Sequence, residues 1–192
     1  MRGPAGQFAQ IAEFSELLRI AAACRHDEND SYHSALTRFG MSHPMFDLSG
    51  KVAVVSGAAQ GMGRAAAVAV AEAGADVMLV DRNLAGAEAT AEQIRKLGRK
   101  AHVSSWDTSN PDAIAEMFGQ VDATFGRVDF LGNIAGDGYL AKPEDLAIAD
   151  LHRVLQNLVV GRFAMCQEAG RRMLMQGGGS IMNIGSLASS TA

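Results

Sequence analysis

Three glycines, one acid and one amide carry most of the chemistry legible in this chain. Gly57, Gly61 and Gly63 lie in V-A-V-V-S-G-A-A-Q-G-M-G (Val52–Gly63), between a β-branched apolar run and an alanine-rich stretch. Glycine lets a backbone turn tightly and approach a ligand closely, and the free amides at a helix start attract a phosphate. A strand, a turn and a helix N-terminus in that order predict capture of a pyrophosphate by Gly57, Gln60, Gly61, Met62 and Gly63. Asp81 ends the next apolar run, about twenty residues on, where a carboxylate can accept hydrogen bonds from the hydroxyls of an adenosine ribose. The same charge repels a 2′-phosphate. Arg82, next to it, can pair with a phosphate, whereas Gln60 in the loop is neutral. On balance these residues favour NAD over NADP. The competing reading is that Asp81 only caps the helix beginning near Leu84.

The elements that must position these groups alternate along the chain. Val52–Val55 has the continuous apolar character of a strand covered on both faces. Arg64–Gly74 reads as a helix closed by Gly74, Ala75–Val80 as a second strand, and Leu84–Leu97 as a helix ending at Gly98. Lys100–Ser105 is a third strand. Asn110 caps and Pro111 opens the next helix, and Val128–Ile134 is a fourth strand. One long helix is expected from about Asp145 to Met175, its Leu151, Val154, Leu155, Leu158 and Val159 forming an apolar stripe, and Gly179–Ile184 gives a fifth strand. Asn157 falls within that stripe, where a buried amide is costly unless it is hydrogen-bonded.

The glycine spacing G-x-x-x-G-x-G resembles the T-G-x-x-x-G-[IL]-G motif of the short-chain dehydrogenase/reductase family, with Ser56 for the threonine and Met62 for the aliphatic residue. The resemblance runs from about Phe46 to the end of the chain. It implies a Rossmann-type doubly wound α/β sheet, strand order 3-2-1-4-5, in which the family's last strands are missing. It implies nicotinamide-dependent hydride transfer on a small alcohol or ketone, and a homo-oligomeric parent. W-D-T at Trp106–Thr108 is similar to the family's D-[VL]-[ST], which gives Asp107 and Thr108 an adenine-side role. L-G-N-I-A-G at Leu131–Gly136 resembles L-V-N-N-A-G: Asn133 would steady the sheet beside the cofactor, and the Ala135–Gly136 backbone would face the ribose and nicotinamide. Ile134 departs from the second asparagine.

Q-N-L-V-V-G is similar to the family's v-N-l-x-G, making Asn157 the residue that bends its helix around a relay water; the alternative is a polar residue at a subunit contact. S-I-M-N-I-G-S-L-A-S resembles the segment carrying the family's substrate-orienting serine, here Ser186. A neutral serine only holds the substrate oxygen, while the proton is exchanged by a tyrosinate beside a lysine. The Y-x-x-x-K that bears that pair does not occur in these 192 residues, and neither Tyr32 nor Tyr139 has a lysine four residues on. Two readings follow: the cofactor half of a dehydrogenase, written as a fragment and inactive alone, or a catalytically silent dinucleotide-binding or interaction module. The fragment reading is favoured, because a fifth strand left at the sheet edge is apolar and unpaired.

Composition narrows the partners. A net charge of −4 argues against nucleic acid and anionic membranes, which leaves a small-molecule ligand. Cys24 and Cys166 are isolated and the five histidines form no cluster, so neither a disulfide framework nor a metal site is expected and a reducing cytoplasm is the default. Residues 1–45 read as a poorly ordered N-terminal extension. An amphipathic helix is possible over Phe8–Ala21, Glu13 and Glu16 argue against a targeting signal, and Met41 is a plausible natural start. Residues 46–192 form the dinucleotide-binding domain.

Overall fold

The computed structural model describes residues 46–186; the expectations for residues 1–45 lie outside them. The chain divides into two units, Met1–Asp47 and Leu48–Ala192, and the second is the one described here. Its strands are β1 (Val52–Ser56), β2 (Asp76–Val80), β3 (Ala101–Ser104), β4 (Phe130–Asn133) and β5 (Ser180–Asn183). All neighbouring pairs are parallel and the order is β3-β2-β1-β4-β5. Strands β2 and β4 flank β1 on opposite sides, with Val54 paired to Met78 and to Leu131, as the sequence predicts.

Alternation along the strands explains the two-sided covering. Val54, Met78, Val80 and Leu131 point to one face and pack with Ile114, Met117, Phe118 and Val121 of α3 (Pro111–Phe125) and Met165, Ala169 and Met173 of α5 (Arg162–Met175). Ala53, Val55, Val77 and Leu79 point to the other, against Ala67 and Ala71 of α1 (Gly61–Glu72) and Ala91 and Ile94 of α2 (Leu84–Lys96). Each fully buried Val, Leu or Phe side chain contributes about 1.5–3 kcal/mol. The alanines of α1 bring that helix close to the sheet, which fixes where its N-terminus sits.

Beyond one-residue shifts at element ends, three departures from expectation matter. Helix α1 begins at Gly61 rather than Arg64, so the second and third loop glycines belong to its first turn. Strand β4 is shorter than Val128–Ile134, because the chain leaves the ladder once the Ile134 and Ala135 amides turn to the Ser56 hydroxyl at 2.9 and 3.0 Å. The single helix expected over Asp145–Met175 is in fact four pieces: a 3-10 turn Pro143–Asp145, α4 (Ile148–Leu155), a π-helical turn Gln156–Gly161, and α5. Its apolar stripe is not buried by the described residues either: Leu151, Leu155 and Val159 are exposed, and Val154 and Leu158 half-buried.

At the opposite end of the sheet from the glycine loop, Asp129 joins three strands. Its carboxylate accepts the Val52 N–H at 2.9 Å and pairs with Arg127 at 2.6–2.7 Å and Lys51 at 3.5 Å, while its carbonyl accepts the Ser180 N–H at 2.9 Å. Burial alone would raise this carboxyl, but Arg127, the Val52 amide and Lys51 outweigh it and hold it below the usual carboxylate range. A carboxyl depressed by folding stabilises above its unfolded pKa, about 3.9, and the benefit is lost as pH falls through the lower folded value. Asp129→Asn should therefore cost about 1–3 kcal/mol near neutral pH. In thermal scans the gap between variant and wild type should close below about pH 4; a gap constant from pH 7 to 3 would show that the charge is irrelevant.

Candidate active site

The glycine loop is assembled by contacts that leave no room for side chains. Gly57 has φ +72° and Gly61 φ +52°, both in the left-handed region that glycine occupies without strain. A Cβ on Gly63 would lie 2.0 Å from the Gly57 carbonyl oxygen, so the first turn of α1 packs directly on the end of β1. The N-cap residue Gln60 makes no side-chain cap bond and the first turn of α1 holds no acid. Its first amides therefore point outward unpaired by the helix and accept an anion readily.

Asp81 supports this loop from β2. Its Oδ2 accepts the Ala59 N–H at 2.9 Å and its Oδ1 the Asn83 N–H at 2.9 Å. Helix α2 is instead capped by Asn83, whose side chain accepts the Gly86 N–H at 3.1 Å, so the competing reading of Asp81 as the cap of α2 is corrected. Each carboxylate oxygen keeps further lone pairs for a ligand hydroxyl. The Thr90 hydroxyl donates to the Ala58 carbonyl at 2.9 Å, and the Arg64 guanidinium donates to the Ala59 carbonyl; together they fasten the loop to α1 and α2.

A cleft of about 330 Å³ opens at the carboxyl ends of β1, β2 and β4, within the range of small-molecule sites. Of the residues singled out from the sequence, it brings together Gly57, Gln60, Gly61, Met62, Gly63, Asp81, Arg82, Thr108, Ala135, Gly136 and Asn157. Asp107, Asn133 and Ser186 do not line it. Asp107 turns to Ser109, accepting its N–H at 2.9 Å and its hydroxyl at 2.8 Å. The Ser109 amide lowers this carboxyl, burial opposes it, and the Ser109 hydroxyl and the Arg82 charge add to the lowering. Asn133 is buried behind the cleft, where its Nδ2 donates to the Arg162 carbonyl at 3.1 Å and to Asn183 Oδ1 at 3.0 Å. Ser186 is exposed beyond the end of β5.

Asn157 faces the cleft through a backbone contact: its Oδ1 accepts the Asp137 N–H at 2.9 Å. The neighbouring Asp137 carboxylate is held at 3.0 Å by Arg153, whose guanidinium lies 5.6 Å from the Tyr139 ring. In v-N-l-x-G the glycine stands three residues after the asparagine, whereas Gly161 stands four after Asn157. The i→i+5 bonding of a π-turn accommodates one residue more than an α-turn.

Several working residues escaped the sequence reading. The Ser56 hydroxyl donates to the Gly132 carbonyl at 3.3 Å while accepting the Ile134 and Ala135 amides, and so stitches β1 to the cleft end of β4. A hydroxyl closing a buried apolar strand must find partners, and that signal was available. Arg162 donates to the Ile184 carbonyl and, at 3.2 Å, to the Ala135 carbonyl, clamping the ends of β4 and β5. A Cβ on Gly136 would meet this guanidinium at 2.8 Å and the Leu158 side chain at 2.7 Å. Among the described residues no group of His, Cys, Asp and Glu could hold a metal, and no helix is long and apolar enough to cross a membrane.

Known proteins share this fold. The D-threitol dehydrogenase of Mycolicibacterium smegmatis is 43% identical over 148 residues, covering 77% of this chain and 56% of that protein. The 7alpha-hydroxysteroid dehydrogenase of Escherichia coli is 33% identical over 141 residues, covering 73% and 55%. Among solved structures, NAD+-bound xylitol dehydrogenase superposes with a TM-score of 0.73 at 33% identity, over 76% of this chain and 56% of that one. The chain thus spans little more than half the length of the proteins it matches. The family profile described as short chain dehydrogenase matches residues 51–192, and with the 3-2-1-4-5 sheet and the glycine cleft in place, the chain belongs to the short-chain dehydrogenase family.

Proposed function

We propose that these residues form the cofactor-binding half of an oxidoreductase that exchanges a hydride between a nicotinamide dinucleotide and a small secondary alcohol or its ketone, with NAD preferred over NADP. The observation that carries the reading is Asp81. Its carboxylate lines the same cleft as the bare α1 amides, at the end of the second strand. The loop amides of Gly61, Met62 and Gly63 would bind the pyrophosphate, Asp81 the adenosine ribose, Thr108 the adenine side, and the Ala135–Gly136 backbone the nicotinamide side. The bound nicotinamide supplies the hydride acceptor or donor. Ser186 would hold the substrate oxygen, and Asn157 would order the proton path. The family resemblance assigns the proton exchange to a Y-x-x-x-K pair, which does not occur in these 192 residues, so the chain would bind cofactor but transfer hydride negligibly by itself.

NAD preference is supported by charge. A 2′-phosphate beside Asp81 meets a carboxylate, and the charge of the adjacent Arg82 also acts on Asp107. The bound NAD+ of the xylitol dehydrogenase relative points the same way. Asp81→Ala should weaken NAD and relieve the repulsion of NADP, a swing in preference of about 1–3 kcal/mol, or roughly 5- to 150-fold. Calorimetric titration with each dinucleotide measures it, and tighter binding of NADP by the unaltered chain would overturn the assignment.

The relatives do not agree on substrate, one acting on a tetritol and another on a steroid, so the substrate class is left at a small alcohol or ketone. The exposed Leu151, Leu155, Val159 and Phe163 along α4, the π-turn and α5 support self-association of the parent enzyme.

A further inference from the structure

The π-helical turn joins α4 to α5 and carries Asn157 to the cleft wall, and its first residue does something the dinucleotide motifs do not describe. Gln156 Nε2 donates to the Ser109 carbonyl at 2.8 Å, across 47 residues of sequence. Five residues on, Gly161 is pressed against the same segment: a Cβ there would lie 1.8 Å from the Thr108 carbonyl oxygen. Within the segment from Trp106 to Asn110 the Asp107 carboxylate accepts from Ser109 and the Asn110 N–H donates to the Asp107 carbonyl at 3.0 Å, while Asn110 caps α3. Trp106 and Thr108 from that segment line the cleft, and Trp106 packs on the core beneath.

We propose that Gln156 is a positioning residue for the adenosine end of the cleft: it holds the Ser109 carbonyl and thereby sets the wall formed by Trp106 and Thr108. The proposal rests on reading the cleft as a dinucleotide site. Two features separate this role from general stabilisation. The Gln156 side chain bonds the Trp106–Asn110 side, whereas its neighbour Asn157 holds the Asp137 amide on the nicotinamide side, so its loss should act on one end of the ligand. The wall also carries its own reporter, because Trp106 is the only tryptophan in the chain.

The test uses the whole chain and two substitutions that remove the donor, Gln156→Leu and Gln156→Glu, the second keeping the size of the side chain. Without ligand, acrylamide quenching of Trp106 fluorescence should rise, by roughly twofold, in both variants. Titrated with AMP and with NAD, both should bind roughly 3- to 10-fold more weakly, the loss expected for one net hydrogen bond. Affinity for nicotinamide mononucleotide should stay within twofold. Unchanged Trp106 quenching in both variants overturns the proposal, as does an equal loss of AMP and nicotinamide mononucleotide. If the unaltered chain binds neither AMP nor NAD, the dinucleotide reading fails, and the quenching of ligand-free Trp106 still decides whether Gln156 holds the wall.

Discussion

Replacing Gly63 with alanine is expected to weaken dinucleotide binding by at least about 100-fold and to lower the melting temperature by roughly 2–12 °C. The added Cβ would sit 2.0 Å from the Gly57 carbonyl oxygen and 2.5 Å from its carbon. Both are backbone atoms of the turn, so no rotamer change relieves the clash, and α1 must move outward or the turn must unwind. Overpacking of this kind costs about 1–3 kcal/mol, which for a domain of this size is roughly 2–4 °C per kcal/mol. The helix cannot move freely, because Ala67 and Ala71 on the same helix are packed against β1 and β2. Displacing its first turn carries the amides proposed to bind the pyrophosphate away from Asp81 and Ala135, so affinity should fall by at least about 100-fold, the loss of two or more charge-assisted hydrogen bonds. Gly61→Ala meets open space at its Cβ but keeps a left-handed φ, and should be milder. A Gly63→Ala protein that melted within 1 °C of wild type and bound NAD within twofold would refute the packing role assigned to this glycine.

What the sequence made legible is whatever is encoded locally. Val52–Gly63 carries strand, turn and helix within one short window, and the order of apolar runs and alanine-rich stretches dictates a parallel sheet with helices on both faces. Strand order followed from the family resemblance and agrees with the register, in which Ala53 pairs with Val77 on one side and with Phe130 on the other. Asn110 as cap and Pro111 as first helical residue were also readable, since the capping bonds to Asp112 and Ala113 are local.

The parts that escaped depend on contacts distant in sequence. V-L-Q-N-L-V-V-G has helical periodicity, and nothing local distinguishes an α-turn from a π-turn there. The turn sits where Gly161 meets the Thr108 carbonyl and Gln156 the Ser109 carbonyl, contacts between segments nearly fifty residues apart. Arg162 reads as one more surface cation on a helix, yet its guanidinium is spent on two carbonyls 22 and 27 residues away. The stripe of Leu151, Leu155 and Val159 was visible as a stripe, but periodicity says only that a helix has an apolar face, not what covers it. Asp107 is a related case: the resemblance of W-D-T gave it an adenine-side role, and what no motif could show is that its carboxylate also accepts from Ser109, with Trp106 and Thr108 lining the cleft wall.

Ser186→Ala is expected to have the largest effect on turnover, in an enzyme that joins this chain to a segment carrying Y-x-x-x-K. Ile184, two residues before it, is held at both its backbone N–H and its carbonyl. The Ile184 N–H donates to the Asn133 carbonyl at 3.3 Å, and the Ile184 carbonyl is gripped by Arg162, so the backbone leading to Ser186 leaves β5 in a set direction beside the Ala135–Gly136 turn. A hydroxyl delivered there can hold the substrate oxygen as charge develops on it, and a hydrogen bond that strengthens in the transition state is worth about 2.7–4 kcal/mol, so kcat should fall by roughly 100- to 1,000-fold. Where Ser186 also helps pass the proton, the loss should extend toward roughly 10,000-fold. Dinucleotide affinity should stay within twofold, because Ser186 does not line the cleft. The 192-residue chain itself, lacking the proton-exchanging pair, should bind NAD and oxidise alcohols at no more than a background rate. Robust alcohol oxidation by that chain, or a Ser186→Ala enzyme with undiminished kcat, would require a base and an orienting group other than those assigned here.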